Sequence, residues 1–174
     1  MSNTYKLSGG EKLKEYLTLL AAKAKNSALL NVGFPEGGTE PDGESTPMVA
    51  FLNEFGRTVR VKNPHTEMSQ GRSVEVVGDY YQAPRPFFRN MISAKSPTWG
   101  EDLGVLLKAK DYDAVEALGL LGEEIRGQLV SSIQELQSPP LAPSTIKAKG
   151  FPKPLINTGA MWQGTASWVE STKE

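Results

Sequence analysis

The chain has no cysteine and a single histidine, His65. Without thiols there is no disulfide framework, no thiolate metal site and no dependence of the fold on redox state. With one imidazole a His-pair zinc site is ruled out. A Ser-His-Asp triad would have to rest on His65, which stands between Pro64 and Thr66 and reads as a solvated loop residue. No apolar run approaches the ~20 residues that span a bilayer. The opening MSNTYKLSGGEKLKEYL lacks the apolar stretch of a signal peptide, so the expected address is the cytoplasm or a particle assembled there. Neither sign of charge is in excess, since 19 basic and 20 acidic residues leave a net charge of −1. That balance removes a global pull toward nucleic acid or anionic membrane. A phosphate-cradling GxxxxGK[ST] loop is also missing. Leu7-Ser8-Gly9-Gly10-Glu11, which matches the signature loop of ABC-type ATPases on paper, therefore reads as a capping box opening a helix.

What is present suits one α+β domain over residues 1–174, a small, mostly antiparallel sheet with a hairpin, packed on one long and several short helices. Leu13, Tyr16, Leu17, Leu20, Ala21 and Ala24 recur at threes and fours and predict a helix over about 10–25, within an N-terminal helical segment 1–26. Ala28 to Phe34 reads as a strand stopped by Pro35, and 35–47 as a flexible Gly/Pro loop. Thr46-Pro47 resembles an N-cap and first-turn proline, opening a short helix that Gly56 closes. Thr58–Lys62 and Ser73–Val77 are β-rich and predict a hairpin whose long flexible tip is 63–72. Phe87 to about Lys95 is predicted helical, with Ser96-Pro97 as a break before a second short helix over Thr98–Lys108. The long helix is expected over about 111–136 with Asp111 as N-cap, its apolar face made by Val115, Leu118, Leu121, Ile125, Leu129 and Ile133. Gly119, Gly122 and Gly127 each cost that helix ~1 kcal/mol relative to alanine, the signature of either a close neighbouring backbone or a loosely specified helix. The segment 138–174 starts extended at Ser138-Pro139-Pro140, continues through short helical turns and ends in a last strand from Thr165.

Ala83-Pro84-Arg85-Pro86-Phe87-Phe88-Arg89 organises this pattern. Pro84 and Pro86 stiffen the backbone, Pro86 suits the start of a helix, and Phe87 and Phe88 supply aromatic anchorage. The stretch predicts a rigid strand-to-helix joint from which Arg85 stands outward, while Arg89 pairs within the fold or with a neighbouring subunit. Arg57, Arg60, Lys62, Arg72, Arg85 and Arg89 concentrate positive charge in mid-chain. A basic face so built would meet DNA phosphates or acidic partner loops, and an ordinary solvated face is the plainer alternative. Glu101-Asp102 and Glu123-Glu124 are adjacent pairs that point to different sides of a helix, which does not make an acid/base dyad. Ser144-Thr145-Ile146-Lys147 fits the SxxK of penicillin-binding enzymes, with Asn157-Thr158-Gly159 as a faint KTG. The spacing is too short and a Ser-Asp-Asn element is missing, so a helix start explains the residues more simply.

Several pieces also recur in a family order: Val32-Gly33-Phe34 before a Gly-rich loop, Val49-Ala50-Phe51-Leu52-Asn53-Glu54-Phe55-Gly56, Pro84-Arg85-Pro86-Phe87-Phe88-Arg89, then Pro139 to Gly150 and Pro154 to Met161. Across roughly residues 28–170 the chain resembles the tail-completion and head–tail joining proteins of tailed bacteriophages and prophages. The resemblance implies a non-enzymatic virion protein without catalytic residues, metal or cofactor. It implies assembly as a ring, commonly a hexamer, in the neck or upper tail. The implied partners are copies of itself, tail-tube or terminator proteins and the head connector, with DNA passing non-specifically through the lumen. Arg57, Arg60, Arg72, Arg85 and Arg89 become interface or lumen candidates, and Pro84, Pro86, Phe87 and Phe88 the structural joint. The alternatives are another minor tail or capsid-associated protein, or a small SxxK serine hydrolase using Ser144 and Lys147.

Overall fold

The computed structural model describes residues 10–24, 27–60, 65–69, 72–76 and 78–172. The elements in chain order are α1 (Gly10–Ala24), β1 (Ser27–Gly33), α2 (Thr46–Phe55), β2 (Arg57–Val59), β3 (His65–Ser69), β4 (Arg72–Val76), β5 (Tyr80–Gln82), α3 (Phe87–Ala109), α4 (Ala114–Glu135), α5 (Pro143–Lys149), α6 (Ala160–Gln163) and β6 (Ala166–Thr172). The class is α+β. The strands form three separate antiparallel pairs, β1 with β6, β2 with β5 and β3 with β4. The first pair joins distant parts of the chain, with Ser27 opposite Thr172 and Gly33 opposite Ala166.

The core lies where α4 crosses both the β1–β6 ribbon and α3. Phe87, Leu129 and Ile133 are fully buried there, and Ala50, Met91, Leu121, Ile125, Leu155 and Met161 complete it. At Gly122 the ribbon comes so close that a Cβ would sit 2.6 Å from Leu30 Cδ1 and 3.1 Å from Ser167 Cβ. Gly119 and Gly127 have open space around them. Of the three glycines in α4, Gly122 thus marks a close approach.

Several expectations are corrected. Pro97 does not end a helix, and α3 runs unbroken through it, giving a second long helix. A proline inside a helix costs ~3 kcal/mol, but Pro97 lies on the exposed side, where the carbonyl it leaves unpaired meets water. Both halves of α3 are held from the other side, by buried Met91 and by Trp99, Leu103 and Leu106 against the core. Trp99 Nε1 also donates to Gln128 Oε1 of α4 at 2.9 Å. The N-cap of α4 is Asp113, whose Oδ1 accepts from Val115 N and Glu116 N, both at 3.1 Å. Asp111 and Tyr112 instead take positive φ, 49° and 61°, in the turn that reverses the chain. The N-cap of α2 is Ser45, one residue before Thr46, which is the first helical residue.

Part of the expected hairpin tip is itself a strand. Within 63–72 lies β3, paired with β4 from His65 opposite Val76 to Ser69 opposite Arg72, and β2 pairs with β5 at the base. His65 is therefore a strand residue. The loop at 35–47 contains the Thr39–Ser45 bridge, and Thr46 N donates to Gly38 O at 2.9 Å. The capping-box serine, Ser8, lies outside the described residues, as does Lys62.

Candidate functional site

The joint at 84–89 is stitched to the end of α2. Gly56 leaves α2 with φ 79°, and a Cβ there would meet Gln82 O at 2.7 Å and Tyr81 Oη at 2.8 Å. Glycine alone combines that backbone conformation with that approach. The turn brings α2 alongside the joint, where Arg85 N donates to Asn53 O at 2.7 Å. Pro86 is the N-cap residue and directly precedes the first residue of α3.

The first turn of α3 has no side-chain cap of its own. Glu54 of α2 supplies one from outside. Its side chain is buried, Oε2 accepts from Phe88 N at 2.9 Å, and Oε1 accepts from Arg89 N at 3.2 Å and from Arg89 Nε at 2.7 Å. Two otherwise unpaired N–H groups and the positive end of the helix dipole are thereby met by one carboxylate. Arg89 closes the arrangement by donating from a terminal nitrogen to the Glu54 carbonyl at 3.0 Å, and its guanidinium lies 4.9 Å from the centre of the Phe55 ring. Phe87 is the anchor. It is 1% exposed, stands edge-on to Phe34 at 6.2 Å, and its carbonyl accepts from Ser132 Oγ of α4 at 2.7 Å. Phe88, partly buried, packs beside it.

The arginines expected on one basic face have different surroundings. Arg57 is exposed on β2 and donates from Nε to Gln82 Oε1 at 2.9 Å. Arg60 is exposed and sits 4.0 Å from Asp79, a pair worth little in open water. Arg72 begins β4. Arg89 is committed to Glu54. Arg85 overturns the expectation of an outward contact, being only 7% exposed, with Nε buried and without a hydrogen-bond partner among the described residues. Burial pushes its guanidinium down from the ordinary arginine value. Lys149 of α5 is nearby, pushed down first by burial and then by the charge of Arg85. Its ammonium donates to the Lys153 carbonyl at 2.8 Å and lies 5.0 Å from the centre of the Phe151 ring.

Two apolar surfaces are left open. Phe34, Phe51, Phe55 and Phe88 line a groove of about 280 Å³ beside the joint, with Phe51 57% exposed. On α1, every residue from Glu11 to Leu19 is exposed, including Leu13, Tyr16 and Leu17. Lys23 Nζ donates to the Asp111 carbonyl at 3.1 Å and links this helix to the α3–α4 turn.

Thr158, from the faint KTG match, has structural partners. Thr158 Oγ1 donates to Glu40 Oε2 at 3.3 Å and accepts from Ala160 N at 3.2 Å, at the start of α6. Glu123 accepts from Ser167 Oγ at 2.6 Å and Glu124 from Gln128 at 3.1 Å, so the two adjacent carboxylates face different neighbours. Among the described residues no cluster of three metal-ligating side chains occurs, and no helix is long and apolar enough to cross a membrane. Sequence reasoning missed Glu54, the most connected residue here. Its signal was an acid in the last turn of a helix, where the dipole disfavours it, so a use elsewhere could be expected. Comparisons with known protein families, curated proteins and solved structures returned no match.

Proposed function

We propose that this chain is a structural subunit of a tailed-bacteriophage virion. In this reading it assembles as a ring in the neck or upper tail, completes the tail and joins it to the head connector around the DNA channel. The observation that carries the assembly part is α1. A 15-residue helix is marginal in water by itself, and Leu13, Tyr16 and Leu17 are each more than half exposed on it. A helix with that face needs a surface to lie on, and copies of the chain in a ring supply one. The stiff joint and the family-ordered motifs support the same reading. Placement in the neck rests on those motifs. In such a ring Arg57 and Arg60, exposed on the hairpin arm, are the candidates for the DNA lumen.

The test is sedimentation velocity with electron microscopy of the purified full chain. The expected result is a closed ring, and Leu13→Asp with Leu17→Asp is expected to yield folded monomers. A wild-type chain that stays monomeric at every concentration, and is missing from purified particles, would sink the proposal.

A further inference from the structure

Arg85 and Arg89 sit one helical turn apart in sequence and have opposite circumstances. Arg89 has a carboxylate partner. Arg85 is the more deeply buried of the two, and its buried Nε has no hydrogen-bond partner among the described residues. A guanidinium does not escape by losing its proton, and a buried charge without a counter-charge is strongly unfavourable. Lys149 adds a second cation close by, which deepens the deficit of negative charge. Lys149 itself is served by a carbonyl and an aromatic face. The unmet need therefore centres on Arg85.

We propose that Arg85, backed by Lys149, receives a carboxylate side chain from a second copy of this chain, and that the acidic segment 36–44 supplies it. The inference rests on the ring reading above. A recessed guanidinium favours a carboxylate over DNA, because duplex phosphates lie along a convex surface and are met by projecting side chains. A single glutamate side chain is slim enough to approach it, and the two terminal nitrogens of the guanidinium offer a planar, two-pronged contact.

The segment is chosen for its charge and its position. It holds Glu36, Glu40, Asp42 and Glu44 and no lysine or arginine. Glu40 is bonded to Thr158, and Asp42 Oδ1 accepts from Glu44 N at 3.2 Å. Glu36 and Glu44 are exposed and have no ion pair among the described residues. The segment leads into the first turn of α2, whereas Arg85 is tied to Asn53 in the last turn. From Thr46 to Asn53 the helix rises about 10 Å. One copy thus carries its acid at one end of α2 and its unmet cation at the other. Such surfaces meet head to tail between copies, the contact that closes a ring.

Sedimentation velocity of the full chain tests this. Arg85→Gln is expected to weaken self-association about tenfold or more, as loss of a buried interfacial charge pair does. Glu36→Gln with Glu44→Gln should weaken it comparably, and the triple variant should be no worse than the weaker of the two. Arg85→Glu should be rescued by Glu36→Lys with Glu44→Lys. Arg85→Met separates assembly from folding, since its monomer should melt at or above the wild-type temperature. A lower melting temperature would show that Arg85 is already compensated within one copy and would overturn the proposal. So would strictly additive losses, or an Arg85→Gln protein that assembles like wild type while the wild-type ring forms. A wild-type chain that never assembles would instead remove the ring reading, and this inference with it. With double-stranded DNA as probe, Arg85→Gln should bind unchanged. Selective loss of DNA binding with assembly intact would assign the site to phosphate and overturn the carboxylate.

Discussion

Helices α1 and α4 carry the same signal, apolar residues at threes and fours, and meet opposite fates. In α4, Ala117 and Leu129 are 0% exposed and Ile133 is 1% exposed, because α3 lies on one side of the helix and the β1–β6 ribbon on another. In α1, Leu13 and Leu17 are 59% and 54% exposed. Periodicity states that a face is to be buried and is silent on what buries it. For α4 the answer lies within the chain, and for α1 we look to a second copy.

The sharpest way to break the contrast is to truncate one leucine in each helix. Leu129→Ala should cost about 3 kcal/mol, a transfer loss plus a cavity, read from the midpoint of urea unfolding. Leu17→Ala should change monomer stability by no more than about 0.5 kcal/mol. Equal losses would mean that α1 is packed after all. Next in size is the joint that links the buried region to the open groove. Glu54→Gln removes the charge beneath the first turn of α3 and should cost about 2 kcal/mol by calorimetry. Arg89→Gln should cost about half as much, because the arginine is 54% exposed and both backbone donors keep the carboxylate.

A smaller test concerns the packed face of α4. Gly122→Ala should lose about 1 to 2 kcal/mol through crowding against Leu30 and Ser167. Gly119→Ala and Gly127→Ala should each gain about 0.5 to 1 kcal/mol from helix propensity alone. All three changing alike in thermal melts would show that no neighbour presses on the helix at 122. The smallest effect is pH-dependent. Hydrogen bonds from Ser167 and then Arg126 hold the Glu123 carboxyl below the ordinary glutamate value. Its contribution is therefore fully present above the unfolded value and fades as pH falls toward the folded one. Melting temperatures along the acid limb should fall less steeply in Glu123→Gln than in wild type. Identical slopes would show that Glu123 does not tether α4 to β6.

Much of the secondary structure was legible from residue order. The helix over 10–24, the strand stopped before Pro35, the start of α3 after Pro86 and the Gly150 stop are local outcomes. The last is a left-handed cap with φ 81° whose N–H donates to Ile146 O. The misplaced elements have through-space causes. Pro97 reads as a break until the packing of Trp99, Leu103 and Leu106 is known. The residues 65–69 read as a polar tip because a β-ladder that satisfies backbone groups leaves little trace in a polar strand.

The sequence by itself determined that most of these helices form and which of their faces are apolar. It also marked Pro86 as the point where a helix starts, because proline geometry, capping and periodicity act within a turn or two of chain. Only the tertiary structure decided that Glu54 caps a helix it does not belong to, and that β1 pairs with β6 across almost the whole chain. It also reversed Arg85 from projecting to buried. Those outcomes depend on which distant groups arrive beside a residue, and charge burial is a property of that arrangement.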